Sequence, residues 1–308
     1  MKKLFIIGNG FDLAHKLHTK YCYFREFLYK QCNGKISYIP ASSVDRDGDT
    51  IVDRITVAGL LMELIDNTTN GEDWADFEDA MGRYNYLSFF EEYDMDMAIN
   101  DDDDDEMYRT IHNREDIVND LSVCILEVKN LFKEWIDSIN INTAKLQSRF
   151  LTLFDENSEF LTFNYTKTLE NVYHVDKAKV CHIHGEQGGE IVVGHGIEDN
   201  PYKEESWETF IIDGALYDLF ESLKKDVVTC NNTNIDFFNG IQQAKIEEIY
   251  SIGFSFSDVD LFYISKLCEL VDTKNVIWHL AKYNKKKNNF YKKLIRDCGF
   301  KGNFGKLI

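Results

Sequence analysis

Five clusters hold the residues whose types and spacing could do chemistry: Gly8-Asn9-Gly10 with Asp12, Asn164 with Thr166, His182 with His184 and Gly185, Gly194-His195-Gly196, and Gly253, Ser255, Ser257 with Asp258. Gly8 and Gly10 let the main chain approach a phosphate closely, and the helix start that follows turns N–H groups and a positive dipole end toward it. The same Gly-x-Gly is equally a tight β–α turn without a ligand, since the third glycine of G-x-G-x-x-G is Leu13. The Asn164 amide can hold a water by donating or accepting. An imidazole titrates near neutrality, which suits His184 to general acid–base work. Asp12, if ionised, would stabilise a developing positive charge. His182 and His184 stand two apart on an expected strand and so face one side. That geometry admits a metal pair with His195, or one core and one active-site histidine, or two structural ones. Metal sites add a carboxylate or thiolate at close spacing; Cys181 points the other way, and no metal is expected.

The elements that must position these groups are short apolar runs: Leu4–Ile7, Glu159–Phe163, Val180–Ile183, Ile191–Val193, Glu248–Ile252 and Val276–Leu280. Helical patterns intervene at Lys167–Tyr173, Ser206–Leu223, Asp258–Val271 and Asn288–Asp297. Strands alternating with helices imply an α/β fold, a Rossmann-like, doubly wound and largely parallel sheet covered on both faces. In such a sheet ligands sit at the carboxyl ends of strands, where all five clusters fall. Residues 46–155 read as a large helical insertion packed on a core of 1–45 and 156–308. Within it, Asp76, Glu78 and Asp79 of "WADFED" fit a packed helix better than a catalytic carboxylate, and "EDIVNDLSVCILEVKNLFKEWIDSI" reads as one long amphipathic helix. The run Asp101–Asp105 reads as a solvated segment near a helix N-terminus.

Composition narrows the class. The net charge of −19 over 308 residues argues against general affinity for nucleic acid or an anionic membrane. The six lysines of Lys282–Lys293 read as a solvated helix face. Seven cysteines without a C-x-x-C pair indicate reduced thiols in a cytoplasmic protein. The opening apolar run is too short for a signal peptide or a membrane span.

The motifs "LFIIGNGFDLAHKLHTKYCYF", "WADFEDAM", "FLTFNYTKTLE", "HIHGE" and "GFSFSDVD", in this order over residues 4–260, resemble the bacterial abortive-infection AbiH family. That family in turn resembles the SIR2-like NAD-binding domains of anti-phage defence. The resemblance implies a SIR2-like Rossmann core acting on NAD. Gly8 and Gly10 would meet the dinucleotide phosphates, and Gly253 and Ser255 would line the adenosine ribose. Asn164 would orient the nicotinamide ribose and the attacking water, and His184 would be the base. Asp12 stands where SIR2-like proteins usually place a serine. With Asn9, Thr166 and Asp258 from the strand ends, these residues complete the expected site. Lys16-Leu17-His18-Thr19 stands where the family often reads Gly-Leu-Pro-Thr. The four-cysteine zinc module of true sirtuins is absent, so protein deacylation is not expected. The expected activity is NAD hydrolysis during phage infection. The alternative is a nucleotide-binding sensor or assembly module; a metal-dependent nuclease fits the charge least. Expected partners are a small-molecule nucleotide, a phage-derived trigger and further copies of the chain.

Overall fold

A computed structural model describes residues 2–33, 43–44, 50–69, 77–90, 117–202, 210–281 and 285–306. Its opening run forms strand β1 (Lys2–Ile7), and side chains alternate between two cores as a strand buried on both faces must. Leu4 and Ile6 point into one core, with Leu161, Ile249 and Trp278. Phe5 and Ile7 point into the other, where the Phe5 ring stacks between Phe160 and Tyr250 at 5.1 and 4.9 Å.

The remaining strands of this sheet are β2 (Ser158–Thr162), β3 (Val180–His182), β4 (Ile246–Ile252), β5 (Ile277–Leu280) and β6 (Asn303–Phe304). Their order is β3-β2-β1-β4-β5-β6, with every neighbouring pair parallel. The chain thus winds outward from β1 in both directions, which places a topological switch point between β1 and β4. Register fixes what emerges there. Ile7 pairs with Thr162 and Ile252, and Thr162 pairs with His182. Gly8, Phe163, Ile183 and Gly253 therefore leave the sheet from one row. Helices Ile235–Gln243, Asp258–Leu270 and Lys285–Asp297 cover the first core through Phe238, Ile264 and Ile295. Phe11, Phe150 and Leu169 cover the second.

The chain divides into two compact units, the first being Met1–Thr19, Ile136–Val192 and Asp226–Ile308, which carries the sheet. The second is Lys20–Trp135 with Val193–Lys225. It contains helices Tyr21–Gln31, Arg54–Thr69, Phe77–Arg83 and Phe210–Leu223 and an antiparallel pair, Ser43–Val44 with Thr50–Ile51. Its aromatic core packs Phe24 edge-on to Phe77 and Phe132 at 5.2 Å each. The Lys225 ammonium, 2 % exposed, lies 3.1 Å from Glu78, so this carboxylate of "WADFE" is engaged in an internal ion pair.

Three sequence expectations change. Ile191–Val193 is not a strand of the sheet: Ile191 makes an isolated bridge to Gly185. β3 stops at His182, because the Gly185 N–H closes a turn onto the His182 carbonyl at 3.0 Å with Gly185 at φ +84. His182 and His184 therefore do not share a strand face. The helix expected over residues 115–139 is interrupted at Glu127. Trp74–Asp76, Asp101–Asp105, the start of the 206–223 helix and Lys282–Asn284 lie outside the described residues. Among the described residues, no helix is long and apolar enough to cross a membrane.

Candidate functional site

The first loop interlocks with the loop that follows β4. The Gly8 N–H donates to the Ile252 carbonyl at 3.0 Å, Gly10 N–H to Gly253 at 2.9 Å, and Phe11 N–H to Gly8 at 2.9 Å. A Cβ on Gly8 would lie 2.6 Å from the Gly253 oxygen, and one on Gly10 would lie 2.6 Å from the Gly253 Cα. Gly253 itself sits at φ +65, with Phe11 N at 2.2 Å from where its Cβ would be. Close approach is thus what requires these three glycines, and it is main chain against main chain. Asn9 is exposed and tied to the end of the same segment. Its amide donates to the Thr19 carbonyl at 2.8 Å and its oxygen accepts from the Thr19 hydroxyl at 2.5 Å. This anchors Lys16–Thr19 without the expected Gly-Leu-Pro-Thr.

Behind this loop Asp12 is 1 % exposed. Thr166 donates to its Oδ2, and Thr168 donates to its Oδ1 at 2.7 Å. The Asn164 amide reaches the Gly8 carbonyl at 3.2 Å. Burial pushes the Asp12 carboxyl up to about 6, against the pull of hydrogen bonds from Thr166, Thr168 and Asn164 and the nearby His182. Gly8, Asp12, Asn164 and Thr166 are thereby brought into one hydrogen-bonded cluster.

His182 adjoins that cluster. Its Nδ1 lies 2.9 Å from the Asn164 carbonyl and its Nε2 lies 2.9 Å from Glu170 Oε1. Glu186 faces it at 4.0 Å and is itself held by Lys177 at 2.5 Å and Lys167 at 3.5 Å. Among the described residues, Glu170, His182 and Glu186 form a group of potential ligand atoms within 4.8 Å of one another. The two lysines already balance Glu186, and the direct histidine–carboxylate contact makes this an ion-pair network.

His184 has different surroundings. Its ring packs edge-on to Phe163 and Tyr263, both at 5.6 Å, and its Nε2 faces Asp260 Oδ1 at 3.7 Å. Ser257 donates to the other Asp260 oxygen at 2.7 Å. These named neighbours are not members of the Asp12 cluster. Ser255 is exposed on the loop after β4, and Asp258 is exposed at the first position of the helix that follows. That loop also holds Phe256 at φ +56 while burying its ring against Phe254 and Tyr291. A left-handed conformation costs a bulky residue about 1–2 kcal/mol, and packing must offset it. His195, in the second unit, packs on Phe220 at 4.3 Å with its Nε2 3.0 Å from that residue's carbonyl.

Three groups at the sheet's carboxyl end escaped sequence reasoning: Thr168, Glu170 and Asp260. Each sits in the first turn of a helix, two to four residues past Thr166 or Asp258, at the end of a motif whose other polar residues the sequence marks. A groove of about 410 Å³ lies at the opposite, amino ends of the strands, lined by Lys2, Glu159, Val180, Asn234 and Asp236. Chemically, the carboxyl end offers a carboxylate that ionises near pH 6, an amide beside it and a histidine paired with an aspartate. Residues 4–282 match the family described as bacteriophage abortive infection AbiH. Neither a curated protein nor a solved structure matches the chain.

Proposed function

The chain belongs to the bacteriophage abortive infection AbiH family, and from that premise we propose that its sheet-bearing unit binds NAD and hydrolyses the nicotinamide–ribose bond during infection. The observation that carries this reading is the register row at the switch point. It delivers Gly8 and Gly253, with Asn164 one residue past the row on the third adjacent strand, and the Asp12 carboxylate bonds to the same segment through Thr166. The same reading takes the SIR2-like relationship as correct and sets the reaction in the cytoplasm.

The residue types suit the reaction. The bond between C1′ and the pyridinium nitrogen breaks, and its electron pair leaves with the nitrogen and cancels that positive charge. Departure therefore needs no acid. A water oxygen bonds to C1′, and one of its protons passes to a base. The Asn164 amide orients that water and the ribose. Asp12, ionised above about pH 6, stabilises the oxocarbenium-like charge. His184 accepts the proton, and Asp260 beside it stabilises the imidazolium that results. Ser255, Asp258 and Thr166 serve the nucleotide around this centre. A phage-derived trigger and assembly of several copies control access.

One observation favours a second reading, a nucleotide sensor without chemistry. Asp12, Asn164 and His184 are 1, 7 and 2 % exposed, and three N–H groups of the first loop are spent within the fold. Asn164→Ala and His184→Ala separate the readings by calorimetry with NAD alongside assay of free nicotinamide. Lost turnover with retained binding supports the hydrolase. Lost binding, in a wild type that releases no nicotinamide, supports the sensor.

A further inference from the structure

We propose that His182 is the positioning residue of the site, with Glu170 orienting its ring so that it grips the main chain at Asn164; this rests on the reading of Asn164 as the water-holding amide. The Asn164 carbonyl, 2.9 Å from Nδ1, can only accept. Nδ1 therefore carries a proton. Nε2 lies 2.9 Å from Glu170 Oε1, and an ionised carboxylate also only accepts. Both contacts are hydrogen bonds at once when each ring nitrogen bears a proton.

The surroundings support that state. The His182 side chain is 6 % exposed, and a charged ring at that depth needs opposite charge. Glu170 supplies it from the Thr168–Tyr173 helix, and Glu186 supplies more from the turn after β3. Lys177 and Lys167 face Glu186, and Asp12 lies close enough to feel the ring's charge. With two glutamates and two lysines in balance, the Asp12 carboxylate is left to offset a proton on the ring, whereas a divalent ion beside a neutral ring would leave one net positive charge. The consequence runs through the main chain. By fixing the Asn164 carbonyl, the ring fixes the turn that sends the Asn164 amide to Gly8 and the Thr166 hydroxyl to Asp12. In His182-x-His184, the second histidine faces Asp260 and the first holds the amide.

The test uses the full chain labelled with ¹⁵N-histidine, with the His182 signals assigned by their loss in His182→Gln. A proton on Nδ1 that exchanges slowly with solvent is expected in the wild type, and in Glu170→Gln it is expected to exchange faster at the same pH. The Asn164 side-chain amide should exchange with solvent at least about tenfold faster in Glu170→Gln, the effect of losing one charge-assisted hydrogen bond. Glu170→Asp should restore most of that protection. A ring whose proton sits on Nε2 with none on Nδ1 in the wild type, or Asn164 exchange unchanged in Glu170→Gln, overturns the proposal. So does stoichiometric zinc replacing the Nε2 proton, which would make the cluster a metal site. These readouts need no turnover: if they hold while no nicotinamide is ever released, the hydrolase reading falls and the positioning role stands.

Discussion

Asp12 is the residue on which solution behaviour should depend most visibly. Its carboxyl ordinarily titrates near 3.8 and burial moves it to about 6. Between these values the folded chain holds a proton that the unfolded chain has released. Folded stability therefore falls as pH rises from about 4 to about 6 and levels off above that, by roughly 3 kcal/mol at most. In Asp12→Asn this contribution disappears. Urea denaturation at pH 4, 5, 6 and 7.5 should show the loss of slope, and an identical slope in both proteins would refute the assignment. Cleavage of NAD should rise over the same window as the carboxylate forms. The sequence marks Asp12, Asn164 and His184 by type and by their places at strand ends, but it does not pair them. Hydrogen bonds between Asp12 and Thr166 join residues far apart in the chain, so no local spacing signals them. Glu170 is hidden for the same reason. It reads as an ordinary helix residue until the end of β3 brings His182 to it.

At the scale of elements, the strands are legible because each is a short apolar run buried on both faces, and the alternation of Leu4 and Ile6 with Phe5 and Ile7 is their signature. What resists reading is where a strand stops. The apolar run through Ile183 suggests continuation, but Gly185 closes a turn two residues later and separates the two histidines. β6 has two residues and no pattern to detect. The glycines of the first loop invite a phosphate in sequence, whereas their space is taken by the loop after β4. That contact makes a prediction. Gly253→Ala would drive a Cβ to 2.2 Å from Phe11 N at φ +65, and should cost at least about 3 kcal/mol through clash and strain. Gly188→Ala, at φ +80 with nothing within 4 Å, should cost only about 1 kcal/mol. Comparison of their denaturation midpoints checks the difference, and equal effects would show that the interlock contributes nothing.

Across the whole molecule, the sheet is parallel throughout, as strands alternating with helices imply, and its order β3-β2-β1-β4-β5-β6 places the switch point beside β1. The second unit has its own internal logic. Lys225→Met removes the partner of a largely buried Glu78 carboxylate and should destabilise the protein by about 3 kcal/mol. Adding Glu78→Leu should recover most of that, because the pair's mutual attraction and its desolvation nearly cancel. Thermal denaturation of the single and double variants reads this out, and a double variant no better than the single would place the role of Glu78 elsewhere. The central claim concerns the sheet-bearing unit. Its most direct test is to follow free nicotinamide from NAD incubated with the purified chain, with and without extract of phage-infected cells. Nicotinamide and ADP-ribose should accumulate in equal amounts, and release should fall at least about a hundredfold in Asn164→Ala. NAD left intact in every mixture, with no NAD bound by the chain, would contradict it.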